Sequence, residues 1–68
     1  MQNGYDIIIP VFNEKNILKL LDYLFDKAKK YNQVFICYDS EEDITVQLIK
    51  KSKFININHL KLLKNPDT

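Results

Sequence analysis

An α/β fold with parallel strands is predicted by three features of this sequence. A β-branched run at Ile7–Ile9, without polar alternation, is typical of a strand that is covered on both faces. An amphipathic segment follows it, and a second apolar run ends at Tyr38. A strand, a crossover helix and another strand form a right-handed βαβ unit. The order repeats once more, so we expect a βαβαβ unit with parallel strands.

The first strand is expected from Tyr5 to Val11. Pro10 cannot donate a hydrogen bond to a neighbouring strand, so it should mark the strand's end. Asn13 is expected to cap the next helix. Glu14 would then lie in the first helical turn, where the helix dipole favours an acid.

The first helix is predicted from Lys15 to about Tyr31. Apolar residues recur there in steps of three and four, which places them on one stripe of a helix. Asp22 and Asp26 fall on the opposite side and are interpreted as a solvated face. The stripe consists of Ile17, Leu18, Leu20, Leu21, Leu24, Phe25, Ala28 and Tyr31.

The second strand is predicted from Gln33 to Tyr38, with Cys37 as a core residue in the middle of it. The polar turn 39–43 follows, in which Ser40 and Asp43 have the spacing of a capping box. A short helix is expected from residue 44 to near residue 52. A third parallel strand is predicted at Leu60–Leu63, with residues 54–58 as its approach.

Size and composition exclude several classes of protein. A chain of 68 residues makes one small domain at most, and such a domain buries only about 60% of its unfolded surface. Its hydrophobic fraction of 46%, with four Phe and four Tyr, is that of a folded protein. Ten basic residues offset nine acidic ones. The short pairs Lys29-Lys30 and Lys50-Lys51 are interpreted as cations at helix C-termini, so we predict no nucleic-acid partner.

The sequence also bears on location. Cys37 is the only cysteine, so an internal disulfide cannot form. The apolar runs are far shorter than the roughly 18 residues of a membrane span, and the N-terminus has no signal-peptide pattern. We expect a soluble, cytoplasmic protein, and the sequence leaves contact with a membrane open.

A candidate ligand site follows from the predicted topology. Ligands of open parallel sheets bind outside the carboxyl ends of the strands, where residues 10–14 and 39–43 should meet. Pro10 and Phe12 offer an apolar surface to a planar base, and the Asp39 carboxylate accepts from a base N–H or a ribose hydroxyl. Gly4 is the only glycine, which argues against a glycine-rich phosphate loop.

Three of these candidate site residues could instead have a purely structural role, without contact to a ligand. Asp39 is placed to cap the second helix, Glu14 to stabilise the dipole of the first, and Phe12 to join the core. His59, alone in a polar stretch, is expected to be exposed rather than catalytic.

Two strings of residues carry a family resemblance. Residues 5–14, YDIIIPVFNE, look like the opening strand of glycosyltransferase family 2, where apolar residues precede Pro-x-Tyr/Phe-Asn-Glu. Residues 35–45, FICYDSEEDIT, are similar to that family's second-strand signature, Asp-Asp-Gly-Ser-x-Asp-x-Thr. The match runs without gaps from Tyr5 to about Phe54, and residues 60–66 resemble the third strand and its following turn.

The resemblance implies a Rossmann-like three-layer unit, the N-terminal part of a glycosyltransferase A-type fold. Residues 1–68 would form one incomplete nucleotide-sugar-binding domain of an enzyme that transfers a sugar from a nucleotide donor to an acceptor. The family's nucleotide pocket maps onto Pro10, Phe12, Glu14 and Asp39.

The resemblance also implies what this chain does not supply. The family's metal-binding Asp-x-Asp and its catalytic base lie downstream of the matched motifs. We therefore expect no catalytic residue and no metal on this chain, and Mg or Mn only in a full-length enzyme.

Some positions depart from the family pattern. Tyr38, Ser40 and Glu41 replace its first Asp, its Gly and its Ser, which affects the base and ribose contacts of that turn. Asp43 and Thr45 match the family, and the start of a helix explains them equally well.

Two other functions are considered. A small non-catalytic αβ module that binds a nucleotide or a protein partner would show the same motifs. A sugar nucleotidyltransferase is disfavoured, because that chemistry usually uses a loop rich in glycine and arginine after the first strand. In all cases an unpaired sheet edge and an apolar face predict self-association.

Overall fold

The computed structural model describes residues 4–27 and 31–66. The strands form one sheet in the order β1-β2-β3, and both neighbouring pairs are parallel. The predicted α/β fold with three parallel strands is therefore confirmed. The elements along the chain are β1 (Tyr5–Pro10), α1 (Ile17–Lys27), β2 (Tyr31–Tyr38), α2 (Ile44–Lys50), a 3₁₀ helix (Lys53–Asn56) and β3 (Leu60–Lys64).

The register of the sheet brings the carboxyl ends of all three strands to one edge. Pro10 is paired with Cys37, and Cys37 is paired with Leu63 on its other side. β1 ends at Pro10, as expected from its missing N–H. The Val11 N–H continues the pairing by donating to the Cys37 carbonyl at 3.0 Å. The loops after β1 and β2 therefore start side by side.

The core lies on one face of the sheet, between the strands and the helices. Alternate residues of β2, Val34 and Ile36, are fully buried, because successive strand residues point to opposite faces. Burying one such side chain stabilises a fold by about 1.5–3 kcal/mol. The buried cluster consists of Ile17, Leu21, Val34, Ile36, Ile49, Phe54 and Leu60.

The other face of the sheet is not covered by any described residue, which corrects the expected three-layer arrangement. Ile8 is 65% exposed and Leu63 is 50% exposed, while Phe35 and Cys37 are half-buried. The described residues thus form two layers. The run Ile7–Ile9 is apolar throughout, yet only its first and third residues face the core. Cys37, expected in the core, lies on the uncovered face.

Helix α1 is shorter than predicted. Ile17 and Leu21 are fully buried on its inner face, and Asp22 and Asp26 are exposed on its outer face, so its amphipathic character is confirmed. Its first turn contains no acid. Tyr31 belongs to β2, and Leu20 is 42% exposed. Ala28, Lys29 and Lys30 lie outside the described residues.

Aromatic residues fill the space at the amino ends of β2 and β3. Phe54 belongs to the 3₁₀ helix in the stretch that was predicted as the approach to β3, and it packs on Phe25 with ring centroids 5.7 Å apart. His59 meets Phe25 edge-on at 5.3 Å, and its Nε2 lies 3.2 Å from the Tyr31 hydroxyl. His59 is therefore half-buried rather than exposed, at the sheet edge opposite to the predicted site.

Helix α2 ends near the predicted position. Lys50 is its last residue and Lys51 is its C-cap, as expected for cations at a helix C-terminus. Within residues 4–27 and 31–66, neither helix is long and apolar enough to cross a membrane.

Candidate functional site

A pocket of about 260 Å³ lies between the loops that follow β1 and β2. Phe12 comes from the first loop and Asp39 from the second, and both line it. Pro10 and Glu14 are not among its lining residues. The structure thus brings two of the four predicted site residues together. The lining consists of Phe12, Asn13, Asp39, Ser40, Glu42 and Asp43.

Phe12 forms an apolar wall of the pocket. The residue is 80% exposed, so it takes no part in the hydrophobic core. The interpretation of Phe12 as a core residue is therefore wrong. An exposed aromatic ring beside polar groups offers a face on which a planar ligand can stack.

Asp39 lies directly after β2 and is exposed. Its Oδ1 accepts a hydrogen bond of 2.9 Å from Nδ2 of Asn65, which follows β3. Asp39 does not cap helix α2, since Asp43 is the N-cap, and that structural interpretation is wrong. Because a carboxylate has about four lone-pair sites, Asp39 keeps acceptor capacity toward the pocket.

Asp43 begins helix α2. Its Oδ1 accepts from the Thr45 N–H at 2.7 Å, which satisfies one of the unpaired amides of the first turn. Ser40, the other half of the predicted capping box, does not cap the helix. Its Oγ accepts from the Glu42 N–H at 3.1 Å, and its carbonyl accepts from the Asp43 N–H at 3.0 Å.

Asn13 joins the two loops. Its backbone N–H donates to both carboxylate oxygens of Asp43, at 3.0 and 3.1 Å. Its side-chain Oδ1 accepts from the Ile44 N–H at 2.9 Å. Asn13 was expected to cap α1, and that expectation is wrong, because Asn13 supports the start of α2 from the other loop. These contacts are called the Asn13–Asp43 bridge below.

The backbone of Asn13 is adapted to this role. Its φ of 48° makes it the one non-glycine residue with positive φ in the described ranges 4–27 and 31–66. Asn enters this left-handed region more readily than most residues, because its short polar side chain forms local hydrogen bonds. This conformation carries its N–H and its side-chain oxygen toward the same loop.

Glu14 contributes through its backbone. Its N–H donates to the Thr45 hydroxyl oxygen at 2.7 Å, beside the Asn13–Asp43 bridge. Its carbonyl accepts from the Ile17 N–H at 3.3 Å. Glu14 precedes α1, so the predicted place in the first helical turn is wrong.

The electrostatics of Asp43 follow from its surroundings. The residue is only 6% exposed, and this burial acts to raise its pKa. Hydrogen bonds from the Thr45 side chain and from the N–H groups of Asn13 and Thr45 act in the opposite direction and prevail. The pKa of Asp43 is therefore lowered from the ordinary 3.8. The bridge contains an ionised carboxylate at neutral pH.

Tyr38, the last residue of β2, is not among the residues that line the pocket. It is 6% exposed on the helix-covered face, and its hydroxyl donates to Glu41 Oε2 at 2.8 Å. This hydrogen bond raises the pKa of Tyr38 and lowers the pKa of Glu41. Glu41 also pairs with Lys50 at 3.3 Å, and about half of each side chain is exposed, so the ion pair contributes little.

The pocket is acidic. Its lining includes Asp39, Glu42 and Asp43, and no basic residue is among the described residues that line it. Within the described ranges, no three His, Cys, Asp or Glu side chains are grouped so that they could hold a metal ion. Both Asp43 oxygens already accept N–H donors and the residue is only 6% exposed, so little of this carboxylate is accessible to a metal ion.

Neither the hydrogen bond from Asn65 to Asp39 nor the contact between Asn13 and Asp43 was predicted from the sequence. Asn65 follows the last strand, and the rule that places ligand sites at the carboxyl ends of strands would have included it. The contact between Asn13 and Asp43 spans 30 positions and has no local signal.

Comparisons with protein-family models, with curated proteins and with solved structures each found no match.

Proposed function

We propose that this chain forms the nucleotide-binding part of a glycosyltransferase that resembles family 2. One observation carries the proposal: Phe12 and Asp39, which occupy two pocket positions of the family motifs, line one pocket between the loops after β1 and β2. The three parallel strands and two helices support the Rossmann-like arrangement of a glycosyltransferase A-type domain.

The chemistry of the pocket favours the nucleoside end of the donor. The Phe12 ring supplies a stacking face, and the Asp39 carboxylate accepts from a base N–H or a ribose hydroxyl. A diphosphate would be repelled by the three carboxylates of the lining. It is therefore expected to point away from Asp39, Glu42 and Asp43.

The divalent metal that the resemblance implies does not fit the described residues. The Asp43 carboxylate is occupied by N–H donors, and one Asp39 oxygen is occupied by Asn65. Mg or Mn therefore has no place in the binding step proposed for this chain. The function of these residues is to hold and orient a nucleoside.

Calorimetric titration with uridine diphosphate and guanosine diphosphate tests the proposal. We expect weak binding of one of them, which Asp39→Ala weakens further by about 1–3 kcal/mol, the usual range for a hydrogen bond to a charged group. Asp22→Ala is the matched control, because it removes an exposed carboxylate on the outer face of α1. Equal affinities of wild type and Asp39→Ala would leave Asp39 without a binding role.

A non-catalytic αβ module is the second candidate. It is favoured by the uncovered apolar face, which in such a module would contact a second copy of the chain through Ile8 and Leu63. If neither nucleotide binds while the chain self-associates through this face, the second candidate replaces the first.

A further inference from the structure

The pocket walls have little support of their own. Phe12 is 80% exposed, so packing does not fix its position. Asp39 is exposed as well, and its carboxylate accepts an exposed hydrogen bond from the Asn65 side chain. The separation of these two residues therefore depends on how the two loops are joined beneath them.

Among residues 4–27 and 31–66, the hydrogen bonds that join the loops involve the Asn13–Asp43 bridge or Glu14, the residue next to it. Asn13 donates to Asp43 and accepts from Ile44, and Glu14 donates to Thr45. Asp43 is buried and Thr45 is fully buried, so the hydrogen bonds that these two residues accept are partly shielded from water, whereas the one that Asn13 accepts from Ile44 is exposed. Asn13 directly follows the wall residue Phe12, and Asp43 belongs to the loop that begins at Asp39.

The unusual backbone of Asn13 fits this arrangement. A positive φ in a non-glycine residue persists only where its surroundings hold it, and such residues cluster at functional sites. Here the surroundings are the Asp43 carboxylate and the Ile44 N–H, which together hold both the backbone and the side chain of Asn13. Asn13, which directly follows the wall residue Phe12, is thus held in the left-handed region by contacts with the other loop.

We propose that Asn13 and Asp43, which also form part of the lining, are positioning residues that preform the pocket between Phe12 and Asp39. The proposal rests on the proposed nucleotide-binding function and adds to it the device that keeps the site open. Without the bridge, only a fraction of the molecules would hold the two walls at the binding distance. The apparent affinity is then the intrinsic affinity multiplied by that fraction.

Three variants test the proposal. Asn13→Gly keeps the positive φ and the backbone N–H but removes the acceptor for Ile44. Asp43→Asn keeps the size of the side chain but removes one of the two oxygens that accept from Asn13. If the preformed state drops to about a tenth of the molecules, each variant binds uridine or guanosine diphosphate about tenfold more weakly. The third variant, Asn13→Ala, removes the same acceptor and also disfavours the positive φ, so it should bind at least as weakly as Asn13→Gly.

Ile49→Val controls for a general loss of stability, because Ile49 is fully buried in the core and is neither a lining residue of the pocket nor a member of the loop contacts described above. It should melt at a lower temperature and bind the nucleotide as wild type does. All affinities are measured where each variant is folded by circular dichroism. Unchanged affinity in Asn13→Gly and Asp43→Asn would overturn the proposal, and so would an equal loss in Ile49→Val.

A second measurement separates this inference from the proposed function. In NMR spectra, Asn13→Gly should move the amide resonances of Phe12 and Asp39 together and leave the Ile36 methyl groups in place. The Asn13 amide should exchange with solvent faster in Asp43→Asn than in wild type. If the wild type binds neither nucleotide, the proposed function fails. The resonance shifts and the amide exchange rate still show whether the Asn13–Asp43 bridge holds Phe12 and Asp39 in position. Pocket resonances that do not move would overturn the inference.

Discussion

The backbone N–H of Asn13 donates to both carboxylate oxygens of Asp43, 30 positions along the chain, at 3.0 and 3.1 Å. The Asp43 side chain also starts helix α2 by accepting from Thr45. One buried carboxylate therefore serves a helix end and a contact between two loops. Protonation of Asp43 therefore affects both the start of helix α2 and the contact between the loops.

Acid should weaken the fold through Asp43. Its pKa is lowered in the folded state, so the folded chain binds this proton less readily than the unfolded chain. The stabilisation is then complete well above pH 3.8 and is lost as the pH falls through the folded pKa. Asp43→Asn should lower the free energy of unfolding by about 1–3 kcal/mol near neutral pH, the cost of leaving buried donors poorly satisfied.

Urea titrations between about pH 6 and pH 2.5 measure this effect. The difference between wild type and Asp43→Asn should shrink below pH 3.8, because protonated Asp43 resembles the amide. Glu42→Gln, the exposed neighbour, should follow wild type at every pH. A difference that stays constant down to the lowest pH would contradict the assignment to Asp43.

Shortening Ile36 and shortening Ile8 should have different consequences. Ile36 is fully buried on the helix-covered face, so Ile36→Val should destabilise the fold by about 0.5–1.5 kcal/mol. Ile8 is 65% exposed on the other face, so Ile8→Val should stay within about 0.5 kcal/mol of wild type. Urea unfolding at low protein concentration measures both. An equal loss of unfolding free energy in Ile8→Val and Ile36→Val would mean that the face of the sheet that contains Ile8 is covered as well.

Copies of the chain should associate weakly. The flat face of three strands of about five residues covers roughly 240 Å² from the strand spacing and rise, far below the roughly 800 Å² that each partner buries in a stable complex. The outer edges of β1 and β3, which pair with no described strand, add to this tendency. Sedimentation should therefore show dimers or larger species that form only at high concentration.

Ile8→Lys should reduce this association, because it places a charge on the uncovered face, beside Phe35 of the central strand. Leu20→Lys is the matched control, since Leu20 is an exposed leucine on α1, on the side of the helices. A monodisperse monomer at all concentrations would refute self-association. If Ile8→Lys and Leu20→Lys reduced self-association equally, the contact between copies would not lie on the uncovered face of the sheet.

Sugar transfer by this chain is not expected with any donor, with or without manganese. The motif Asp-x-Asp does not occur in its 68 residues, and the matched strings contain no counterpart of the family's catalytic base. Release of uridine or guanosine diphosphate from the corresponding nucleotide sugars, followed by chromatography, measures the activity. Turnover that copurifies with the chain and disappears in Asp39→Ala would show that the catalytic groups lie within these residues.

The sequence alone determined the order and type of the strands and helices. Ile7–Ile9 and Val34–Tyr38 are apolar and rich in β-branched and aromatic residues, which predicts strands, and Pro10 ends the first of them for a reason contained in one residue. The spacing of Ile17 and Leu21 fixed the inner face of α1. The convergence of residues 12 and 39 followed from parallel topology.

Only the tertiary structure decided which partners the polar residues of the loops take. Asn13 has the local signals of a cap for α1, yet it supports α2, because parallel pairing brings the two loops within hydrogen-bond distance. The uncovered face could not be predicted either. A run such as Ile7–Ile9 is apolar on both faces, and whether a second layer covers it depends on where the helices cross the sheet. Local sequence specifies which groups need partners, and the packing of distant segments specifies which partners they find.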